Sequence, residues 1–255
     1  ADIDLGNVGT KTAAIIQNFS GTYDGNGYTI TYQATFQGNN VTDASFGLFG
    51  HVTGTIKNLN VNGEATISGN GSDMQIGLLC GKLANSQTET SSGNRPVHYS
   101  YTYKMGTISH CSVSGNVTST VYASNGGGTD AGLIVGQCEG TVEYCMGTGN
   151  VIGVGYVGGL VGQLRPQQYR ERYQQRNGSR YNDVYRDYVY YPCSITGCVF
   201  IGNVTAVNPE STAGDAVGSF AGGICGFAYD NSTIEQCYAS GTITSNKAAS
   251  GIVST

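Results

Sequence analysis

The chain reads as short runs in which apolar and polar residues alternate, cut every few positions by Gly, Asn or Ser. Alternation over four to eight residues is the pattern of a strand with one buried side, and the punctuation marks corners. Three phrases recur in a fixed order. The first is Phe46-Gly47-Leu48-Phe49-Gly50, repeated as Gly77-Leu78-Leu79-Cys80-Gly81, Gly132-Leu133-Ile134-Val135-Gly136, Gly159-Leu160-Val161-Gly162 and Gly223-Ile224-Cys225-Gly226. The second begins Thr55-Ile56 and returns at Thr107-Ile108, Thr141-Val142, Ser194-Ile195 and Thr233-Ile234. The third follows the second directly: Gly63-Glu64-Ala65, Gly115-Asn116-Val117, Gly149-Asn150-Val151, Gly202-Asn203-Val204 and Gly241-Thr242-Ile243.

Three strand-like phrases repeated in order predict a solenoid. One coil cannot bury its inward side chains alone, and stacking at ~4.8 Å between strands does so. The expected fold is all-β: a parallel β-helix, or β-solenoid, of about five to six three-stranded coils. Residues 1–255 form one domain, with 1–45 as an N-terminal coil or cap. The intervals between copies are unequal because insertions enter at corners. Two are long, one at 84–106 and one at 165–192.

Composition agrees. Of 255 residues 40 are Gly, and only 11% are charged. The low charge and many aromatic residues argue against disorder, and Gly without a three-residue period argues against collagen. The net charge of −5 gives no general attraction for nucleic acid. The longest apolar run, 151–162, is too short to span a bilayer. No signal peptide is visible and the first residue is not Met, so the chain reads as a mature or excised segment.

The eight cysteines test the alignment. Leu59, Cys111, Cys145, Cys198 and Cys237 share one column; Phe49, Cys80, Val135, Val161 and Cys225 share another. Cys alternating with Leu, Val and Phe behaves as a small buried hydrophobe. Cys138 and Cys193 lie beside these columns. Mostly free, buried thiols are expected. If bridges form, Cys193–Cys198 or Cys138–Cys145 are nearest in sequence. Zinc is not expected, because no second CxxC pair exists.

The stretch Phe19-Ser20-Gly21-Thr22-Tyr23-Asp24-Gly25-Asn26-Gly27-Tyr28-Thr29-Ile30, followed by the Gly-Leu-Phe-Gly and Thr-Ile-Lys-Asn-Leu phrases, resembles the GLUG-motif proteins. The resemblance implies a parallel β-solenoid from a bacterial or protist surface or secreted protein, many of them described as adhesins. It implies an extracellular or cell-surface location. It transfers no catalytic residues.

Candidate chemistry is sparse. Asp24-Gly25-Asn26-Gly27 resembles part of a calcium loop, but the flanking ligand positions hold Thr22 and Gln33, so a turn explains it better. Glu143 and Glu235 fall in one outward column with Thr196 between them, too scattered for a catalytic pair. Asp43, Asp73, Asp130 and Asp215 each precede a first-phrase strand; cation binding and local turn bonding both fit them, with the turn favoured. His51, His98 and His110 lack a nucleophile phrase, and His110 reads as an outward strand residue. Thr118, Thr205 and Thr244 share a column broken by Ser68 or Ile152, which argues against ice binding. No cofactor and no metal site is expected.

The insertions carry the unusual composition. All seven arginines lie in them, with ten of the 18 tyrosines. They enter at the same corner two coils apart, so they should lie side by side, and repeat scaffolds often bind through such loops. Tyr and Arg are hot-spot residues. The candidate contact residues are Tyr99, Tyr101, Tyr103, Tyr169, Arg170, Arg172, Tyr173, Arg176, Arg180, Tyr181, Tyr185 and Arg186. The competing reading is that they only cover the solenoid's side. The second insertion suits a short helix or a hairpin.

The ends give one more expectation. Residues 7–17 could cover the first coil as a short helix or pair as a strand. At the other end, Gly251, Ile252 and Val253 begin another first-phrase strand and form an open edge, a template for more polypeptide. The partners expected are other copies stacked end to end or the rest of a longer chain, with carbohydrate or a cell-surface protein at the insertions. Nucleic acid and a membrane span are not expected. The function expected is a non-catalytic structural or adhesive solenoid and filament subunit; the alternative is a β-helix polysaccharide-binding protein, lyase or hydrolase.

Overall fold

The computed structural model describes residues 1–121, 128–207 and 219–254, and every regular element among them is a strand. The chain winds through four parallel sheets in turn. The first face holds the long strands Ile3–Lys11, Thr29–Gln37, Asn60–Ser68, Ser112–Ser119, Met146–Gly153 and Val199–Ala206, then Tyr238–Ser240 and Ile243–Ser245. The second holds Ser45–Phe46, Met74–Gly77, Thr129–Gly132, Tyr156–Gly158, Phe220–Gly222 and Ala248–Ser250. The third holds Ile16–Phe19, Phe49–Val52, Cys80–Leu83, Val135–Cys138, Val161–Leu164 and Cys225–Ala228. The fourth holds Thr22–Asp24, Thr55–Lys57, Thr107–Ser109, Thr141–Glu143, Cys193–Thr196 and Ser232–Glu235. This is a parallel β-solenoid.

Each complete coil therefore carries four strands rather than three, because the first phrase supplies two. The chain folds sharply within it. A Cβ on Gly77 would lie 2.2 Å from the Cys80 carbonyl oxygen, and one on Gly81 would lie 2.5 Å from the Phe46 amide of the preceding coil. The outer surfaces of the second and third faces close together at this bend, and only Gly fits there.

Alternation sets what is buried. In Thr29–Gln37 the side chains of Ile30, Tyr32, Ala34 and Phe36 are buried, and those of Gln33, Thr35 and Gln37 are exposed. Equivalent inward residues stack from coil to coil into one apolar core running from Ile30 to Cys225. The first face also bends at a glycine column. Gly63, Gly115, Gly149 and Gly202 have φ between +139° and +157°, a region L side chains avoid. Their amides approach the coil beneath so closely that a Cβ on Gly149 would sit 1.7 Å from the Gly115 oxygen.

Corners between the fourth and first faces use left-handed residues: Asn58, His110, Tyr144, Gly197 and Gln236 have φ of +51° to +63°. His110 is thus a corner residue, not a strand residue. The left-handed turn is what swings the next residue, Leu59 or a cysteine, into the core. All eight cysteines are free, and seven are buried, Cys138 and Cys193 included. The bridges suggested by sequence proximity, Cys193–Cys198 and Cys138–Cys145, are not formed, because each cysteine's inward neighbours come from adjacent coils.

The first coil has no helix. Residues 7–17 divide between Ile3–Lys11, which pairs with Thr29–Gln37, and Ile16–Phe19, which pairs with Phe49–Val52. At the other end the Ile252 carbonyl accepts from the amides of Ile224 and Cys225. Gly251 and Ile252 remain exposed, with Val253 partly so.

Candidate recognition surface on two paired hairpin arms

Both insertions leave between the third and fourth faces as antiparallel hairpins. The first arm pairs Ser86–Ser92 with His98–Lys104. The second has a root, Gln167–Tyr169 with Val189–Tyr191, and a tip, Arg172–Asn177 with Arg180–Tyr185. Of the short helix and the hairpin that this insertion suited, the hairpin forms, turning at Gly178, where φ is +61°.

Arg172 joins the arms. Its Nη2 donates to Glu89 Oε1 at 2.5 Å, its Nη1 to Asp183 Oδ2 at 3.2 Å, and its guanidinium lies 4.3 Å from the Tyr99 ring centre. Tyr99 donates to Asp183, and the Tyr101 hydroxyl accepts from the Arg172 amide at 2.7 Å and donates to Glu89 at 2.8 Å. Val97 donates its amide to Gln174. Hydrogen bonding from Arg172 holds the Glu89 carboxyl below its ordinary range, and that from Gln174 does the same for Asp183.

The roots lock by aromatic packing. Tyr103, Tyr169 and Tyr191 pack with ring centres 4.4 to 5.7 Å apart, and Tyr103 donates to Glu171 at 2.6 Å. Burial pushes the Tyr103 and Tyr169 hydroxyls up, Tyr169 to about 12. Below them Glu139 pairs with Lys82 at 3.1 Å and takes both oxygens' bonds from the Gln167 amide in its satisfied orientation. Sequence reading missed Glu89, Glu139, Glu171 and Asp183, because no periodic pattern marks a carboxylate whose partner comes from another coil or insertion, as for Glu89 and Glu139, or from across the same hairpin, as for Glu171 and Asp183.

The twelve candidate residues thus separate by role. Tyr99, Tyr101, Tyr103, Tyr169 and Arg172 hold the arms together. Arg170 stands 5.1 Å from the Tyr185 ring centre and 4.9 Å from that of Tyr188, and these rings are 53% and 56% exposed. Tyr190 beside them is also exposed. Tyr173 and Arg186 form a second, looser cation–π pair at 5.7 Å. Arg176 caps the hairpin turn by donating to the Gly178 carbonyl at 3.0 Å, next to exposed Arg180 and half-buried Tyr181. The accessible group is Arg170 with Tyr185 and Tyr188: flat rings around a guanidinium, suited to stacking and hydrogen bonding at once.

Other candidates resolve into structural roles. Asp24 accepts from the Asn26 amide and the Asn58 side chain at 3.0 Å each and pairs with Lys57 at 3.2 Å, which occupies a carboxylate that calcium would need. Asp43 and Asp73 are left-handed turn residues. Asp130 accepts from Gln137 at 3.3 Å, and burial pushes its carboxyl up to about 8; Asp215 lies outside the described residues. Glu143 and Glu235 flank Thr196 in register, one coil to either side. The threonine column is longer than the alignment suggested: Thr10, Thr35, Thr66, Thr118, Thr205 and Thr244 align, with Ile152 as the break. Among the described residues no three His, Cys, Asp or Glu side chains are grouped to hold a metal ion.

A parallel β-solenoid bearing a paired hairpin arm is the class of protein this geometry defines. A model of the GLUG motif matches residues 218–244, which include one strand from each of the four faces. The chain carries that motif there. No curated protein matches the chain. A solved structure described as a candidate immunoglobulin A1 protease from Bacteroides ovatus is similar over 96% of this chain and 84% of that one, at 16% identity and a TM-score of 0.36. That likeness is too distant to carry an argument. No helix among the described residues is long and apolar enough to cross a membrane.

Proposed function

We propose that the protein is a non-catalytic extracellular adhesive solenoid that binds surface carbohydrate through the Arg170, Tyr185 and Tyr188 cluster. The observation that carries this is the division of labour in the arms. One set of Tyr and Arg residues is consumed in joining them, while two exposed rings around one guanidinium are held out on the rigid product. Exposed tyrosines contribute large contact area at low entropic cost, and a guanidinium supplies directional donors to hydroxyl or carboxylate oxygens. The GLUG motif supports a surface setting.

The test is binding to an array of neutral and acidic oligosaccharides. The Y185A/Y188A variant should lose about tenfold or more in affinity, the size expected for hot-spot aromatics. Tyr173, which pairs in register with Val184 and lies against Arg186 rather than Arg170, serves as the comparison. Equal losses on Y173A and Y185A/Y188A, or none on either, would remove the assignment. Release of shortened saccharides on prolonged incubation would favour the lyase or hydrolase reading.

End-to-end stacking is a second reading, with another copy or the rest of a longer chain as the occupant of the exposed apolar side chains at either end of this segment: Ile3, Leu5 and Ile16 on one coil, Tyr238 and Ile252 on the other. Contacts of that kind do not close and so extend into filaments.

A further inference from the structure

Four thiols stand in one row. Cys111, Cys145, Cys198 and Cys237 each follow a left-handed corner residue, and each perturbs the next thiol. The amide of Cys111 donates to Cys145 Sγ at 3.4 Å, and that of Cys145 to Cys198 Sγ at 3.4 Å. The last two coils are in register beside the row: Val199 pairs with Tyr238, and the Tyr238 amide donates to the Cys198 carbonyl at 2.9 Å. Neighbouring parallel strands lie ~4.8 Å apart, inside the Cα separation that a disulfide spans.

Access distinguishes one pair. Cys111 and Cys145 are 2% exposed and Cys198 is fully buried, whereas Cys237 is partly exposed.

We propose that Cys198 and Cys237 are a disulfide-forming modification site that staples the last coil to the one before it. The oxidant is a small-molecule disulfide such as oxidised glutathione. Cys237, the accessible thiol, has its pKa held up first by its hydrogen bond with Cys198; it loses its proton as it attacks one sulfur of that disulfide, forming a mixed disulfide and expelling one small thiolate. The Cys198 thiolate then attacks Cys237 Sγ and expels the second. Two protein thiols become one disulfide, one small disulfide becomes two small thiols, and the two protein protons pass to the departing thiolates. Cys198 is suited to the second attack. Hydrogen bonds from the Cys145 thiol, then the Cys237 thiol, and from the Cys145 amide stabilise its anion and lower its pKa.

The experiment treats the native chain with oxidised glutathione, quenches with acid, and maps peptides without reduction. The wild type should yield a Cys198–Cys237 linked peptide and an intact mass lower by about 2 Da, with no glutathione retained. C198A should trap glutathione on Cys237. C237S, altered at a half-exposed position, should show neither bond nor adduct and keep the wild-type circular dichroism spectrum. A glutathione adduct that persists on wild-type Cys237, linkage of any other pair, or no reaction at Cys237 would each overturn the proposal. The bridged protein should also unfold at higher urea than the reduced form; an equal or lower midpoint counts against a staple.

Discussion

Arg172 and Glu89 are 83 positions apart in sequence, yet the Arg172 Nε reaches both Glu89 carboxylate oxygens, at 3.1 and 3.0 Å. This contact converts two corner hairpins into one arm. It also makes Arg172 a poor probe of ligand binding, because its loss disturbs the scaffold that presents the rings. R172M should loosen the arms while leaving the coils intact. Hydrogen exchange at Val97 and at the Arg172–Asn177 strand should accelerate, and exchange in Val135–Cys138 should not. Uniform acceleration across both regions would mean that the arms and coils unfold as one unit.

The same contact is pH-dependent. The carboxyls of Glu89 and Asp183 lie below their unfolded values, so the stability they lend is present above pH about 4.5 and is lost as pH falls through their folded pKa values. Tyrosine fluorescence reports the change, since the chain has 18 Tyr and no Trp. An acid-induced change should precede loss of the β-sheet circular dichroism signal. It should be missing from E89Q/D183N.

Asp130 should show the opposite dependence. Its folded pKa, about 8, lies above the unfolded value of 3.8. Its contribution is therefore full below pH ~4 and lost as pH rises toward 8. D130N keeps an acceptor for Gln137 and cannot ionise. It should raise the melting temperature relative to wild type more at pH 8 than at pH 5. The same increment at both values would contradict the elevated pKa.

Gly149→Ala should cost more than about 3 kcal/mol, because φ is +139° and the added carbon meets a backbone oxygen that cannot move without the coil beneath. Gly178→Ala, at the arm tip with φ +61° and open space, should cost about 1 kcal/mol. Urea midpoints measure both. Similar values would show that the bend tolerates a side chain.

End-on association should depend on the last coil. Sedimentation velocity at rising concentration should show chain growth for the wild type and a constant small species for I252K. Identical behaviour would place assembly elsewhere or exclude it.

Much of this molecule is legible in the residue order, because a repeat states its own geometry. Inward residues must be apolar in every coil, so columns such as Leu59, Cys111, Cys145 and Cys198 reveal stacking without coordinates. The corner shared by both insertions follows from the same alignment. What the alternation could not resolve is backbone curvature. Gly77 and Gly81 look like ordinary strand punctuation, and only their contacts with Cys80 and Phe46 show that the phrase folds into two strands. His110 reads as a strand residue in the sequence for the same reason: its φ of +53° serves the need to turn Cys111 inward. In the arms the limit is different. A Tyr/Arg-rich composition announces a surface, but whether a given arginine binds outward or inward depends on which carboxylate the folded coils bring to it. Arg172 meets Glu89 and is consumed, while Arg170 meets two exposed rings. That choice is made in three dimensions, because ion pairs and ring contacts act over a few ångströms of space and leave no period in the chain.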